Sequence, residues 1–265
     1  MLAEQRYQEI LRLLKENGGV RAAELREKLN VSSETVRRDL ENMEIQGLIR
    51  RARGGAFLNG PGIQARSPTR YTPFGIRGKE REDSKREIAE YAVGFIKEGQ
   101  SIALDSGTTA FALARAVKDR FNSITVVTNS MAIANELAGA EGVTLIVTGG
   151  VYRWEESAFI SDMAGLIVSK LNIDLFFMTT CGISVERGVT YQRMDEVMVQ
   201  EKMMQASERT VVIADSSKLG ANSLVKMCDV DRISMIITDS HAGERQIQPF
   251  IRAGIPVKKY SEERE

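Results

Sequence analysis

The chain has 265 residues, 43% hydrophobic and 27% charged, the usage of a folded globular protein with apolar material for one small and one ordinary-sized domain. Its 36 basic and 36 acidic side chains cancel, so any basic surface has to be local, and one histidine with two cysteines excludes a zinc-type cluster; no metal is expected. No apolar run approaches the roughly 20 residues of a membrane-spanning helix, and Met1-Leu2-Ala3-Glu4-Gln5-Arg6 opens straight into an amphipathic pattern, so no membrane partner and a cytoplasmic location are expected.

From Leu2 to Leu14 the apolar positions Ile10, Leu11, Leu13 and Leu14 predict a helix that Asn17-Gly18-Gly19 stops. Ala22, Ala23, Leu25 and Leu29 predict a second, short helix. Asn30-Val31-Ser32 supplies a turn and an N-cap for a third. In that third helix Val36, Leu40 and Met43 share the buried face, which leaves Ser33, Arg37, Arg38 and Glu41 outside. Ser32, Ser33 and Thr35 at its start suit a phosphate oxygen or a base edge, and arginine reads guanine bidentately. After Gly47, the run from Leu48 to Phe57 predicts a basic β-ribbon, with Arg51 and Arg53 near a Gly54-Gly55 tip. Helix, turn, helix and ribbon in this order predict a winged helix-turn-helix over residues 1–58, with Ser32, Ser33, Thr35, Arg37, Arg38, Arg51 and Arg53 facing operator DNA.

Residues 59–73, rich in Gly and Pro and without periodicity, predict a linker to a domain over 74–265. There a helix from Lys85 to Lys97 is followed by seven short apolar runs: Ser101–Leu104, Ile124–Val127, Thr144–Val147, Leu175–Met178, Val211–Ala214, Met235–Thr238 and Val257–Tyr260. Helix-length segments separate most of them, so the fold class is α/β, a doubly wound and mainly parallel sheet. Polar loops follow the runs: Asp105-Ser106-Gly107-Thr108-Thr109, Thr128-Asn129-Ser130, Thr148-Gly149-Gly150, Thr179 to Ser184, and Asp215-Ser216-Ser217-Lys218. Ligands of open α/β sheets bind outside the carboxyl ends of the strands, so these loops predict one crevice. Small hydroxyl side chains and glycine at helix starts offer backbone donors to an anion, and Lys218 adds positive charge, which fits a phosphate monoester.

These residues resemble the DeoR family of bacterial sugar-catabolism regulators. The resemblance runs from Glu24-Leu25 through Val31-Ser32-Ser33-Glu34-Thr35-Val36-Arg37-Arg38-Asp39-Leu40 to Gly47-Leu48-Ile49-Arg50-Arg51 and Gly54-Gly55-Ala56. It continues in Phe74, Arg77, Lys85 with Ile88-Ala89, and the loops at 104–109, 128–130, 148–150 and 215–218. It implies a DNA-binding repressor, with no cofactor, that senses a phosphorylated sugar or sugar derivative. The implied effector residues are Asp105, Ser106, Gly107, Thr108, Thr109, Thr128, Asn129, Ser130, Gly149, Gly150, Arg153, Cys181, Gly182 and Lys218. Two departures stand out. Arg53 replaces the histidine usual before Gly-Gly-Ala, and the Ser-x-x-Gly pattern expected after Arg153 is missing around Ser157 and Phe159-Ile160-Ser161-Asp162, which points to an unusual effector. Cys181 reads as a small cleft-lining residue, with a reactive thiol as the alternative.

The loops also resemble those of ribose-5-phosphate isomerase, so the competing reading is an isomerase-like enzyme with a DNA-binding appendage. Isomerisation needs a carboxylate base with a paired acid. The stretch Thr180-Cys181-Gly182-Ile183-Ser184 stands where the isomerase has a DGAD-like loop, and no KGGG occurs, so binding without turnover is expected. A symmetric operator calls for a homodimer or homotetramer, and the methionines at 194, 198, 203 and 204 lie on a helix that lines either the core or a subunit interface.

Overall fold

The computed structural model describes residues 3–17, 19–45, 48–52, 55–58 and 72–261. The chain divides into two compact units, Met1–Pro68 and Thr69–Glu265.

In the first unit the elements are α1 (Ala3–Asn17), β1 (Gly19–Arg21), α2 (Ala22–Leu29), α3 (Ser33–Ile45), β2 (Ile49–Ala52) and β3 (Gly55–Leu58). Asn30 closes α2 in the left-handed conformation, φ 51°, and its N–H reaches the carbonyls of Arg26 and Glu27. Ser32 caps α3 by accepting the N–H of Thr35 at 3.1 Å, as its position predicts. Val36, Leu40 and Met43 turn inward onto Ile10, Leu14 and Leu25. The ribbon is antiparallel, with Ala52 opposite Gly55. One strand is additional: β1 pairs with β3, giving the order β1-β3-β2. Gly55 is required by that pairing, because a Cβ there would stand 2.2 Å from the carbonyl oxygen of Val20.

The expected linker over 59–73 lies outside the described residues except for Thr72 and Pro73. The second unit then runs α4 (Phe74–Lys79), α5 (Glu82–Ala92), β4 (Ser101–Leu104), α6 (Thr108–Val117), β5 (Ile124–Thr128), α7 (Met131–Leu137) and β6 (Val143–Val147). It continues through β7 (Tyr152–Arg153), β8 (Ala158–Phe159), α8 (Asp162–Val168), β9 (Ile173–Met178), β10 (Gly182–Ser184), β11 (Gly188–Tyr191) and α9 (Met194–Gln205). The last elements are β12 (Ser207–Ile213), β13 (Val225–Cys228), β14 (Met235–Thr238), α10 (Glu244–Arg252) and β15 (Val257–Lys259). The helix expected over Lys85–Lys97 starts earlier and ends at Ala92, followed by one 3-10 turn, Val93–Phe95.

All seven apolar runs are strands of one sheet, ordered β15-β14-β12-β9-β4-β5-β6 and parallel throughout. Alternate residues serve two cores. Leu175, Phe177, Val211 and Ile213 pack with α5 and α6, whereas Phe176, Met178, Val212 and Ala214 pack with α8, α9 and α10. The sheet is therefore buried on both faces, which is why its strands read as continuous apolar runs. The chain starts in the middle at β4, winds out to β6, then crosses to β9 and winds the other way. The topological switch point lies between β4 and β9. Two small antiparallel additions, β7-β8 and β10-β11-β13, grow from the loops at the carboxyl edge.

Candidate functional site

The register lines up Leu104 with Thr128 and Thr128 with Val147. Asp105, Asn129 and Thr148 consequently leave the sheet side by side, spanning roughly 10 Å at the usual strand spacing. Leu104 also pairs with Phe177, and Val212 with Met178, which brings the loops at 179–184 and 215–218 to the same edge. The five polar loops are brought together as expected.

Their residues do different things there. Asp105 is fully buried and holds the switch point together. It accepts the N–H of Gly107 at 3.1 Å, the N–H of Thr179 at 2.9 Å and the hydroxyl of Thr179, with the Tyr191 hydroxyl at 3.4 Å. Burial pushes its carboxyl above the ordinary range and these donors pull it back. Thr128 accepts the N–H of Ser130, and Ser130 accepts the N–H of Ile133 to cap α7. Ser106, Thr108 and Thr109 line the start of α6, whose N-cap Gly107 supplies no side-chain cap. Gly149 and Gly150 have φ of 64° and 111° and begin the excursion that carries the chain back over the edge. Asn129 and Thr148 differ from the rest: they are 1% and 2% exposed, yet Asn129 Oδ1 and Thr148 Oγ1 have no hydrogen-bond partner among the described residues. Asn129 Nδ2 donates to the carbonyl of Phe159 at 3.1 Å, which fixes the amide with its oxygen unpaired.

Beside these loops lies a charged constellation. Arg77 on α4 donates to Glu156 at 2.9 Å, and Arg193 reaches the other oxygen of Glu156 at 3.4 Å. Glu196 neighbours Glu156, and burial raises both carboxyls above their ordinary range. Burial and the neighbouring carboxylate push Glu156 up to about 9. Lys85 donates to the carbonyls of Arg77 and Glu80 at the end of α4. Phe74 meets Phe111 of α6 edge to face at 5.9 Å, and its N–H donates to the carbonyl of Glu155. The helix that opens this unit is thus bonded to the turn between β7 and β8. Cys181 lies within the field of Arg77, Glu196 and Lys218, and burial pushes its thiol up to about 11. Gly182 packs against the backbone of Ala221, where a Cβ would stand 2.6 Å from a carbonyl oxygen. Arg153 is engaged by Asp195 at 2.8 Å. The Lys218 side chain has no hydrogen bond or ion pair among the described residues, and the residue is half-buried; its backbone N–H donates to the carbonyl of Asp215 at 2.9 Å.

In the first unit Ser33, Arg37 and Arg38 are exposed and Thr35 half-buried. Arg37 is not a free cation: Glu34 holds it bidentately at 2.6 and 3.0 Å, and Glu41 holds its remaining nitrogen at 2.7 Å. Arg38 has no ion pair among the described residues. It lines a cleft between α1 and α3 with Arg6, Tyr7 and Asn42. Arg51 sits on β2 opposite Ala56. Arg53 lies outside the described residues.

Residues 6–61 match the DeoR-like helix-turn-helix domain, and residues 80–240 match the DeoR C terminal sensor domain. The chain belongs to the DeoR family and is a DNA-binding transcriptional regulator, not an enzyme. It is 34% identical to the HTH-type transcriptional regulator GlpR of Haloferax volcanii, over 97% of this chain and 98% of that one. It is 32% identical to the L-fucose operon activator of Haemophilus influenzae over 87% and 89%, and 30% identical to the transcriptional repressor AccR of Agrobacterium fabrum over 89% and 90%. Among solved structures, ribose 5-phosphate isomerase from Plasmodium falciparum is similar over 51% of each chain, at 16% identity and a TM-score of 0.37. No helix among the described residues is long and apolar enough to cross a membrane.

Proposed function

We propose that the protein represses a carbohydrate-catabolism operon and leaves its operator when a phosphorylated sugar or sugar derivative enters the crevice at the carboxyl ends of β4, β5 and β6. On this reading residues 1–58 bind DNA, 59–73 link, and 74–265 sense. The observation that carries it is the pair of buried, unpartnered oxygens on Asn129 and Thr148, next to the uncapped start of α6. An unpaired buried polar atom costs about 1–3 kcal/mol, a cost that a ligand hydroxyl would remove. The amide oxygen of Asn129 accepts from a hydroxyl, while the first N–H groups of α6 and Lys218 suit an anion. One ligand with hydroxyls and a phosphate meets both demands. Asp105, Thr128 and Ser130 then serve as the frame of the site.

A gel-shift titration on the protein's own upstream DNA, with a panel of sugar phosphates and the matching unphosphorylated sugars, tests this. One phosphorylated compound is expected to release the DNA without being turned over. Release by a free sugar alone, or by none of them, would sink the proposal. Lys218→Ala is expected to weaken that effector at least about tenfold, the worth of one charge-assisted hydrogen bond, with operator affinity unchanged. Unchanged effector affinity would place the phosphate elsewhere.

Two copies on a two-fold operator fit a module that reads one half-site, so the active form is a homodimer or homotetramer. The pairing within α3 ranks its arginines. Arg38→Ala is expected to lower operator affinity and reduce the slope of log affinity against log salt by about one. Arg37→Ala is expected to lose less, because Glu34 and Glu41 already compensate its charge. Gel shifts at several salt concentrations decide, and a larger loss at Arg37 would mean that DNA pulls it out of those pairs.

A further inference from the structure

Eight of the eleven exposed large apolar side chains among the described residues fall between Val151 and Met198. They occupy three adjoining elements. On α8, Met163, Leu166 and Ile167 point outward while Ala164, Gly165 and Val168 point into the core, so the helix is apolar all round. A helix of that kind is covered on both sides in a folded assembly. On α9, Met203 and Met204 are core residues but Met194 and Met198 are exposed. Gly165 lets the two helices approach, since a Cβ there would meet the Lys202 side chain at 3.1 Å. The hairpin β7-β8 continues the surface: Arg153 pairs with Asp195 beside Met194, and a Cβ on Gly150 would stand 3.7 Å from that of Met163. Trp154, the chain's one tryptophan, lies on this hairpin and is exposed.

We propose that this face of α8, α9 and the β7-β8 hairpin is where a second copy of the chain docks. From their fractional exposures the eight side chains offer on the order of 900 Å², against the ~800 Å² per partner of a standard interface. A single exposed patch of this size is above what a monomer ordinarily keeps. Charge selects the occupant. The exposed charged residues nearest to the patch on these two helices and the turn after α8 are Asp162 and Glu201 against Lys170 and Lys202, balanced in sign. A two-fold contact sets a surface against itself, and a balanced rim lets it do so without like-charge repulsion. Arg153, the cation of the hairpin, is held by Asp195 at 2.8 Å and is not free for nucleic acid. The inference rests on the two-copy reading of operator binding, and it locates the contact in the sensor unit.

The experiment uses the full chain without DNA or effector, so that a misplaced surface and a wrongly assumed operator symmetry fail separately. Analytical ultracentrifugation across a micromolar dilution series is expected to show self-association. Met163→Glu with Leu166→Glu is expected to weaken it at least about a hundredfold, because two desolvated charges per copy would face their counterparts. Both positions are exposed, Leu166 by 66%, so the fold should tolerate them, and circular dichroism checks this. If the double variant misfolds, Met194→Lys, at a site 68% exposed, is expected to act in the same direction. Leu224→Glu, 84% exposed but outside the face, is expected to leave association intact. Trp154 emission is expected to move to longer wavelength on dilution. A monomer throughout, face variants that associate like the unaltered chain, dissociation by Leu224→Glu as well, or an associating chain with dilution-invariant Trp154 emission would each overturn the proposal.

Discussion

Asp39→Ala is expected to destabilise the N-terminal unit by about 3–5 kcal/mol, the usual cost of removing one member of a buried ion pair. Asp39 is 4% exposed and sits among Val36, Leu40 and Met43 on the inward side of α3. Its carboxylate takes Arg6 Nε at 2.6 Å and Arg6 Nη2 at 2.9 Å, a bidentate contact between α1 and α3 that spans 33 residues of sequence. Truncation strips the guanidinium, whose side chain is 14% exposed, of that carboxylate. For a unit of this size each kcal/mol lowers the melting temperature by about 4–8 °C. Calorimetry on the full chain should therefore show the first unit melting well over 10 °C lower, with the sensor transition in place. The same contact sets the angle of α3 on α1, so operator affinity is expected to fall too. Replacing both partners by apolar residues, Arg6→Met with Asp39→Leu, should recover most of the stability, because no charge is then left buried. A melting temperature within a degree or two of the parent in Asp39→Ala would show that the pair adds nothing.

The pattern of what was legible follows from how far apart interacting residues lie in sequence. The seven sheet strands showed as apolar runs because both faces are covered, and the caps at Asn30 and Ser32 are local chemistry. The strand β1 was hidden because Gly18-Gly19 reads as a helix stop, and only pairing with Gly55 across the ribbon makes Gly19–Arg21 extended. Strands β7, β8, β10, β11 and β13 are two to four residues long, too short for a period to emerge. At the carboxyl edge the polar loops were visible as clusters after strands, but their division of labour was not. Whether Asp105 faces a ligand or braces a loop depends on Thr179, 74 residues away. The contact of Arg77 with Glu156 spans 79 residues and left no local trace. The ion pairs of Arg37 went unread although they are local. Glu34 and Glu41 stand three residues before and four after it, a helical spacing at which opposite charges meet.

Gly107→Ala is expected to cost the sensor unit about 3 kcal/mol or more and to abolish the effector response. Glycine in this loop was expected for its bare backbone, which offers N–H groups to a phosphate. The structure gives a stricter reason. A Cβ on Gly107 would stand 2.0 Å from Thr179 Oγ1 and 2.5 Å from Thr179 Cβ. Rotating the threonine cannot relieve a clash with its own Cβ, so the end of β9 has to move. Moving it withdraws the N–H and the hydroxyl of Thr179 from Asp105 and strands a buried carboxylate. Overpacking of this kind costs about 1–3 kcal/mol, and an unsatisfied buried acceptor adds about 1–3 kcal/mol. The backbone at Gly107 is ordinary, φ −77°, so the cost comes from space alone and not from a glycine-only conformation. That separates two explanations by experiment. Thr179→Gly removes the three atoms nearest to the new methyl, so Gly107→Ala with Thr179→Gly should be clearly more stable than the sum of the single changes predicts, a coupling of at least about 1 kcal/mol in a denaturation cycle. Additive costs would mean that Gly107 is needed for something other than room beside Thr179, and the close approach of the two loops would lose its place in the architecture of the switch point.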